Sequence, residues 1–201
     1  KVADKDIITA KGKNVIVIGG GDTGSDCVGT SARQGAVSIS QIEILPEPPE
    51  SRTLNNPWPY WAQVKRSSSS HQEGCKRYWS LATKRFISDD TGHVKEIEVA
   101  EVEWERKDGK WMMQEKPNSI QKMKADLVLL AMGFVHPVHE GLADELGIDY
   151  DQRGNVKVNQ YQTSQKQVFA AGDAAMGASL VVRAIADGRK AAEKVDDFLR
   201  G

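Results

Sequence analysis

Cysteine is nearly absent from this chain: Cys27 and Cys75 are its two among 201 residues. Two thiols allow one disulfide at most, and an iron–sulfur cluster takes four. A disulfide scaffold and a cluster-binding domain are both disfavoured. No Cys-x-x-Cys pair occurs, which removes a thioredoxin-type dithiol. Neither sign of charge dominates. Lys and Arg number 27, Asp and Glu 28, and the net charge is −1, so nothing electrostatic asks for nucleic acid. Long hydrophobic runs are missing too. The longest, 127–135, falls short of the roughly 20 residues that span a bilayer. The opening Lys1-Val2-Ala3-Asp4-Lys5-Asp6 has no signal-peptide core. The expected setting is cytoplasmic, away from membranes. His71, His93, His136 and His139 lack metal-ligand spacing, and no long internal repeat appears.

What is present begins with a β-α-β unit. Residues 14–18 are a Val/Ile run that reads as a buried parallel strand. Residues 22–34 read as a helix closed by Gly35, and 37–45 as a second strand. Between the first strand and the helix stands Gly19-Gly20-Gly21-Asp22-Thr23-Gly24, a G-x-G-x-x-G string in a strand-to-helix setting. Gly19 permits the tight turn, Gly21 lets the backbone approach a pyrophosphate, and Gly24 lets helix pack on strand. Free N–H groups at the helix start then face the phosphate charge. A glycine-rich turn that binds nothing is the competing reading.

The second strand should deliver a residue that reads the adenosine ribose. An acid bonds the 2′-hydroxyl, and arginine accommodates a 2′-phosphate. Glu47, 23 residues past Gly24, is an acid at about that place. No adjacent arginine pair follows, which favours NADH over NADPH. Arg52 is the reservation, because it can swing toward a 2′-phosphate. Glu43 reads as a polar residue on the strand's exposed face.

Residues 46–80 hold five of the seven prolines, with Trp58, Tyr60, Trp61, Tyr78 and Trp79. They read as a long loop, either functional or packed by its own aromatics. The pattern then turns antiparallel. Residues 95–105 place Ile97 and Val99 on one face and Val102 and Trp104 on the other, which suggests a bulge or twist near Ala100. Asp108-Gly109 marks a tight hairpin, 110–114 returns, and 125–131 is a third apolar strand. The expectation is a β-meander attached to the β-α-β half. Val168-Phe169-Ala170-Ala171 reads as an apolar strand ending in Gly172-Asp173, followed by a helix from about Ser179 to Leu199. An acid at a strand end can bond polyol hydroxyls, and a helix start can face a phosphate or a flavin carbonyl. The alternative is that Asp173 simply caps the turn.

The two constellations together resemble the two-dinucleotide flavoprotein disulfide-reductase superfamily, with Ala131-Met132-Gly133-Phe134 similar to its interdomain connector. Five strings narrow the resemblance to glutamate synthase small (beta) subunits. They are Gly19-Gly20-Gly21-Asp22-Thr23-Gly24-Ser25-Asp26-Cys27, Leu45-Pro46-Glu47-Pro48-Pro49, Asn55-Asn56-Pro57-Trp58-Pro59, Thr83-Lys84-Arg85-Phe86 and Leu129-Leu130-Ala131-Met132-Gly133-Phe134.

The resemblance implies a Rossmann-like doubly wound α/β nicotinamide-binding domain over 1–134 and the C-terminal part of an FAD-binding domain over 135–201. It implies a subunit that takes a hydride from NADH or NADPH onto FAD. Electrons would pass through iron–sulfur clusters to a large subunit that makes glutamate from glutamine and 2-oxoglutarate. Gly19, Gly20, Gly21, Asp22, Thr23 and Gly24 would hold the nicotinamide dinucleotide's pyrophosphate, with Glu47 and Arg52 near its ribose. Gly133, in the connector, would lie at the cofactors, Gly172 and Asp173 would reach the FAD ribityl and phosphate region, and Ser179, Leu180 and Val181 would approach the flavin ring. The chain departs from the family in having no second G-x-G-x-x-G, no cysteine-rich cluster region, and Ala174-Ala175-Met176-Gly177 where relatives carry basic residues. The expectation is a C-terminal fragment of about half a subunit, inactive alone, with the cluster ligands in the region N-terminal to it. Its orphaned apolar segment is expected to pair with a second copy. Another iron–sulfur flavoprotein oxidoreductase, or a non-catalytic nucleotide-binding domain, remain as alternatives.

Overall fold

The computed structural model describes residues 7–60 and 62–201. The signal-peptide reading of 1–6 and the aromatic Trp61 lie outside the described residues. The chain divides into two compact units, one ending at Met132 and the other running from Gly133 to Gly201.

The first unit opens with β1 (Asn14–Ile18), α1 (Asp22–Arg33) and β2 (Ser38–Ile42). A helix, α2 (Ser69–Gln72), and a strand, β3 (Lys76–Tyr78), follow. Next come β4 (Leu81–Ser88), β5 (Val94–Lys107), β6 (Lys110–Glu115), β7 (Gln121–Lys124) and β8 (Leu127–Leu130). One sheet is parallel, in the order β3-β2-β1-β8. The other is antiparallel, with β5 pairing β4, β6 and β7.

The apolar run of β1 has a physical cause: both faces of its sheet are covered. Val15 and Val17 point to one side, against Val28 of α1 and Ile39. Ile16 points to the other, among Ile42, Leu81, Ile97 and Val99, where the antiparallel sheet lies. Each of these side chains is essentially fully buried, which stabilises the unit by roughly 1.5–3 kcal/mol apiece. At the entrance to both parallel neighbours, Asn14 N–H and Nδ2 donate to Asp126 Oδ2 at 2.8 and 2.6 Å, and Asp126 N–H returns a bond to the Asn14 carbonyl.

Three expectations are corrected here. Residues 46–80 are not all loop: α2 and β3 lie within them, and β3 adds a parallel edge to β2. The apolar strand near 125–131 does not belong to a meander. As β8 it pairs parallel with β1, Val17 opposite Leu129. The antiparallel sheet itself is no plain meander, because β7 returns to β5 opposite 96–99 while β6 pairs with 102–107. The irregularity expected near Ala100 sits in the facing strand. Pairing steps from Thr83–Val99 to Arg85–Glu98, so Lys84 has no opposite residue. Asp108 and Gly109 both have positive φ, as a primed two-residue turn requires.

The second unit holds α3 (Leu142–Glu145), α4 (Asp173–Met176) and α5 (Val181–Arg200). The strand expected at 168–171 is reduced to an isolated bridge between Gln162 and Phe169. The long helix is present, and Phe198 meets Phe169 edge-on at 5.4 Å. The tail is therefore a bridged loop and helix rather than a strand and helix.

Candidate functional site: the glycine loop and the C-terminal tail

β1 and β2 end level, Ile18 opposite Ile42, and the chain leaves β1 at Gly19. Its φ of +117° is a backbone region that side chains rarely allow. β2 holds both polar groups of this residue. Gly19 N–H donates to the Ile42 carbonyl and Gly19 O accepts from Gln41 Nε2, each at 2.9 Å. A Cβ on Gly19 would overlap the Ala131 carbonyl, and one on Gly24 would overlap Gly19 O and crowd Gln41 Nε2. Gly21 is the opposite case. It is the N-cap of α1, has no side-chain cap, and a Cβ there would enter open space. Asp22 and Thr23 beside it are exposed. First-turn N–H groups lack partners within their own helix, and α1 directs its positive end at the same space. The loop is thus packed on two sides and bare on the third, which fits a phosphate.

Around the end of β2 the acids sort themselves. Glu43 follows Ile42 directly, 19 residues past Gly24, and its carboxylate occupies the place that a Cβ on Gly20 would need. Burial pushes the Glu43 carboxyl above the usual range, against a smaller downward pull from Arg77, whose Nη2 lies 3.9 Å away. Glu47 is engaged elsewhere, with Lys65 Nζ at 2.6 Å; the same ammonium reaches Glu50 at 3.2 Å. Arg52 ties its own loop, donating to the carbonyls of Asn56 and Tyr60 at 3.2 and 2.8 Å. The acid against the glycine loop is Glu43, a residue that read from sequence as ordinary strand surface.

In the second unit Gly172 has φ +62°, and its N–H donates to Asp187 Oδ2 at 2.7 Å. Asp187 is a buried residue of α5, and its Oδ1 accepts from the Tyr161 hydroxyl. Asp173 Oδ1 accepts from Ser179 N–H and Oγ at 3.1 and 3.3 Å. The capping alternative therefore describes at least one of its oxygens. Leu180 is the N-cap of α5, without a side-chain bond, and Leu180, Val181 and Val182 are exposed together. Gly133, φ +84°, has open space where a Cβ would stand. A cavity of about 340 Å³ is lined by Phe134, His136, Pro137, Val138, Asp173 and Ala174. His136 stacks on His139, and His139 on Tyr150, at 4.5 and 3.7 Å. From sequence these histidines show only that they lack metal-ligand spacing; nothing there indicates that His136 shares a cavity with Asp173.

The family model for pyridine nucleotide-disulphide oxidoreductases matches residues 1–188, and the chain belongs to that family. Over 195 residues it is 48% identical to the glutamate synthase [NADPH] small chain of Mycobacterium tuberculosis, covering 96% of this chain and 39% of that protein. It is 43% identical to the glutamate synthase [NADH] of Schizosaccharomyces pombe, covering 100% of this chain and 10% of that protein. The chain thus spans about two fifths of the small chain's length. Its fold is similar to FprA of M. tuberculosis in complex with NADPH (TM-score 0.66, 12% identity, covering 94% of this chain and 53% of that one). It is also similar to T. acidophilum thioredoxin reductase (TM-score 0.58, 21% identity, covering 95% and 54%).

Proposed function

We propose that this chain is the NAD(P)H-binding part, with the tail of the FAD-binding part, of a glutamate synthase small subunit. The observation that carries the reading is the bare third side of the glycine loop: Gly21 faces open space at the start of α1 while Gly19 and Gly24 are locked against β2 and β8. Identity with small chains along nearly the whole sequence supports the particular enzyme. When bound, the nicotinamide supplies a hydride and the flavin accepts it, with onward transfer to a large subunit or fused domain.

The chain's own part is to bind and orient. First-turn N–H groups of α1, over Gly21, Asp22 and Thr23, would receive the pyrophosphate. Glu43, rather than Glu47 or Arg52, would accept the ribose hydroxyl, which favours NADH. In the second unit, Gly172, the second oxygen of Asp173, and the open start of α5 from Ser179 to Val181 would contact FAD. Gly133 and the cavity beside His136 would adjoin it. The apolar start of α5 equally supports pairing with a second copy when FAD is absent. Iron–sulfur clusters we assign to another part of the enzyme, because the two cysteines here are fewer than the four thiolates a cluster takes. No helix among the described residues is long and apolar enough to cross a membrane.

Calorimetric titration with NADH and NADPH, with and without FAD, tests this. The expected result is tighter NADH binding, weakened roughly tenfold by Glu43→Gln, the scale of one charge-assisted hydrogen bond. Binding of neither nucleotide overturns the reading. Tighter NADPH binding moves the ribose role to an arginine.

A further inference from the structure

Gln41 is an unusual residue for its place. It sits in a central parallel strand, 1% exposed, among isoleucines. A buried side-chain amide persists only when its bonds are made. One half of Gln41 donates to the Gly19 carbonyl at 2.9 Å. The other half, Oε1, lies 2.9 Å from His71 Nε2. His71 belongs to α2, thirty residues further along.

The direction of this chain of bonds can be worked out. Ser68 N–H contacts His71 Nδ1 at 3.0 Å. A backbone N–H can only donate, so Nδ1 is the acceptor and the imidazole proton is on Nε2. Nε2–H then donates to Gln41 Oε1, which turns the Gln41 NH2 toward Gly19. The Ser68 hydroxyl closes the box by accepting from His71 N–H, and it also bonds Ser25 Oγ on α1. Ser25 N–H is itself bonded to the Gly21 carbonyl at 3.0 Å. His71 of α2 and its N-cap Ser68 thus hold both flanks of the glycine loop, the β1 exit through Gln41 and the α1 entrance through Ser25.

We propose that Ser68 and His71 are positioning residues for dinucleotide binding, with His71 fixing the Gly19 carbonyl through Gln41 and Ser68 fixing the first turns of α1 through Ser25. The proposal rests on reading the glycine loop as the dinucleotide site. It gives the segment between β2 and β3 a task that packing alone does not explain. A loop held in the binding shape before the ligand arrives binds more tightly, because less ordering is left for the ligand to impose. The hydrogen bonds also make the hold sensitive to acid. A proton on Nδ1 sets a donor against Ser68 N–H and undoes the capping box. Burial, and to a smaller extent Arg77 of β3, hold the His71 ring below its ordinary pKa; Arg33 of α1 and Glu73, the C-cap of α2, pair with each other at 2.5 Å. β2 contributes no charge.

The test follows the backbone amide resonances of 19–24 in the full chain as pH falls below about 6.5, with no ligand present, and measures NADH affinity over the same range. The amides are expected to titrate with the His71 ring. His71→Ala is expected to weaken NADH binding about 3- to 10-fold. His71→Gln, which keeps an N–H near the Nε2 position but takes no proton, is expected to restore affinity and flatten the pH profile. Loop amides that ignore the ring, in a chain that binds NADH, overturn the clamp and leave the cofactor reading standing. Loop amides that follow the ring, in a chain that binds no dinucleotide, keep the clamp and overturn the cofactor reading. The wild-type titration needs no variant, so a His71→Ala chain that fails to fold does not suspend the answer.

Discussion

At the scale of the residue, two glycines three positions apart answer to different constraints. Gly24 is glycine because a Cβ would overlap backbone; a Cβ on Gly21 would meet no protein atom and would enter the space where we propose the dinucleotide binds. Gly24→Ala should lower stability by about 1–3 kcal/mol, the ordinary cost of overpacking, visible as a lower urea midpoint. Gly21→Ala should leave the midpoint within about 0.5 kcal/mol of wild type and weaken dinucleotide binding instead. Finding both variants equally unstable would remove the distinction. The glycine loop was legible in the sequence because its residues are consecutive and its strand is apolar. Glu43, Gln41 and His71 were not. Glu43, which we propose as the ribose reader, does not stand out because chain distance alone does not say where a strand ends, and β2 stops at Ile42 rather than Leu45. The Gln41–His71 bond joins positions that no local pattern relates.

Elements were legible in proportion to how far their neighbours in space are their neighbours in sequence. The 108–109 turn and the strands it joins could be read directly. β3 could not: Lys76-Arg77-Tyr78 shows no alternation, and its partner is β2 across the proline-rich stretch. β8 carried the continuous apolar signature of a buried parallel strand, yet its place in the chain, after antiparallel strands, suggested the wrong sheet. Val168–Ala171 shows that an apolar extended run need not find a ladder. What ties the entrance of β8 to β1 is Asp126, whose carboxyl the Asn14 N–H and amide hold below the usual carboxylate range. Such a group adds stability above its unfolded pKa of about 3.9, and that contribution is lost as pH falls through the lower folded value. Acid unfolding should therefore steepen below about pH 4. Asp126→Asn should flatten that part of the profile, as monitored by urea midpoints at each pH.

For the whole molecule, the two units differ in what holds them together. The first has two apolar clusters, one on each face of its parallel sheet. In 133–201 the buried apolar residues are Val156 and Ala191, while Phe134, Val135, Val138 and Val181 are at least 70% exposed. The C-terminal unit should unfold first. All five tryptophans, Trp58, Trp61, Trp79, Trp104 and Trp111, precede it, so indole fluorescence follows the first unit, while the far-ultraviolet helical signal includes α5. In urea the helical signal should begin to fall before the fluorescence does, and NADH should raise the fluorescence midpoint. Coincident transitions would mean that the units fold as one.

The packing of Gly24 against the Gln41 amide has a last consequence, for how such a sequence can drift. The methyl group that position 24 refuses is refused in part by the amide of residue 41, and the amide stays because a carbonyl and an imidazole both need it. Positions 19, 24, 41 and 71 therefore behave as one four-letter word spread over the chain. A change at any single letter is a misspelling, and a tolerated variant has to rewrite several of them together.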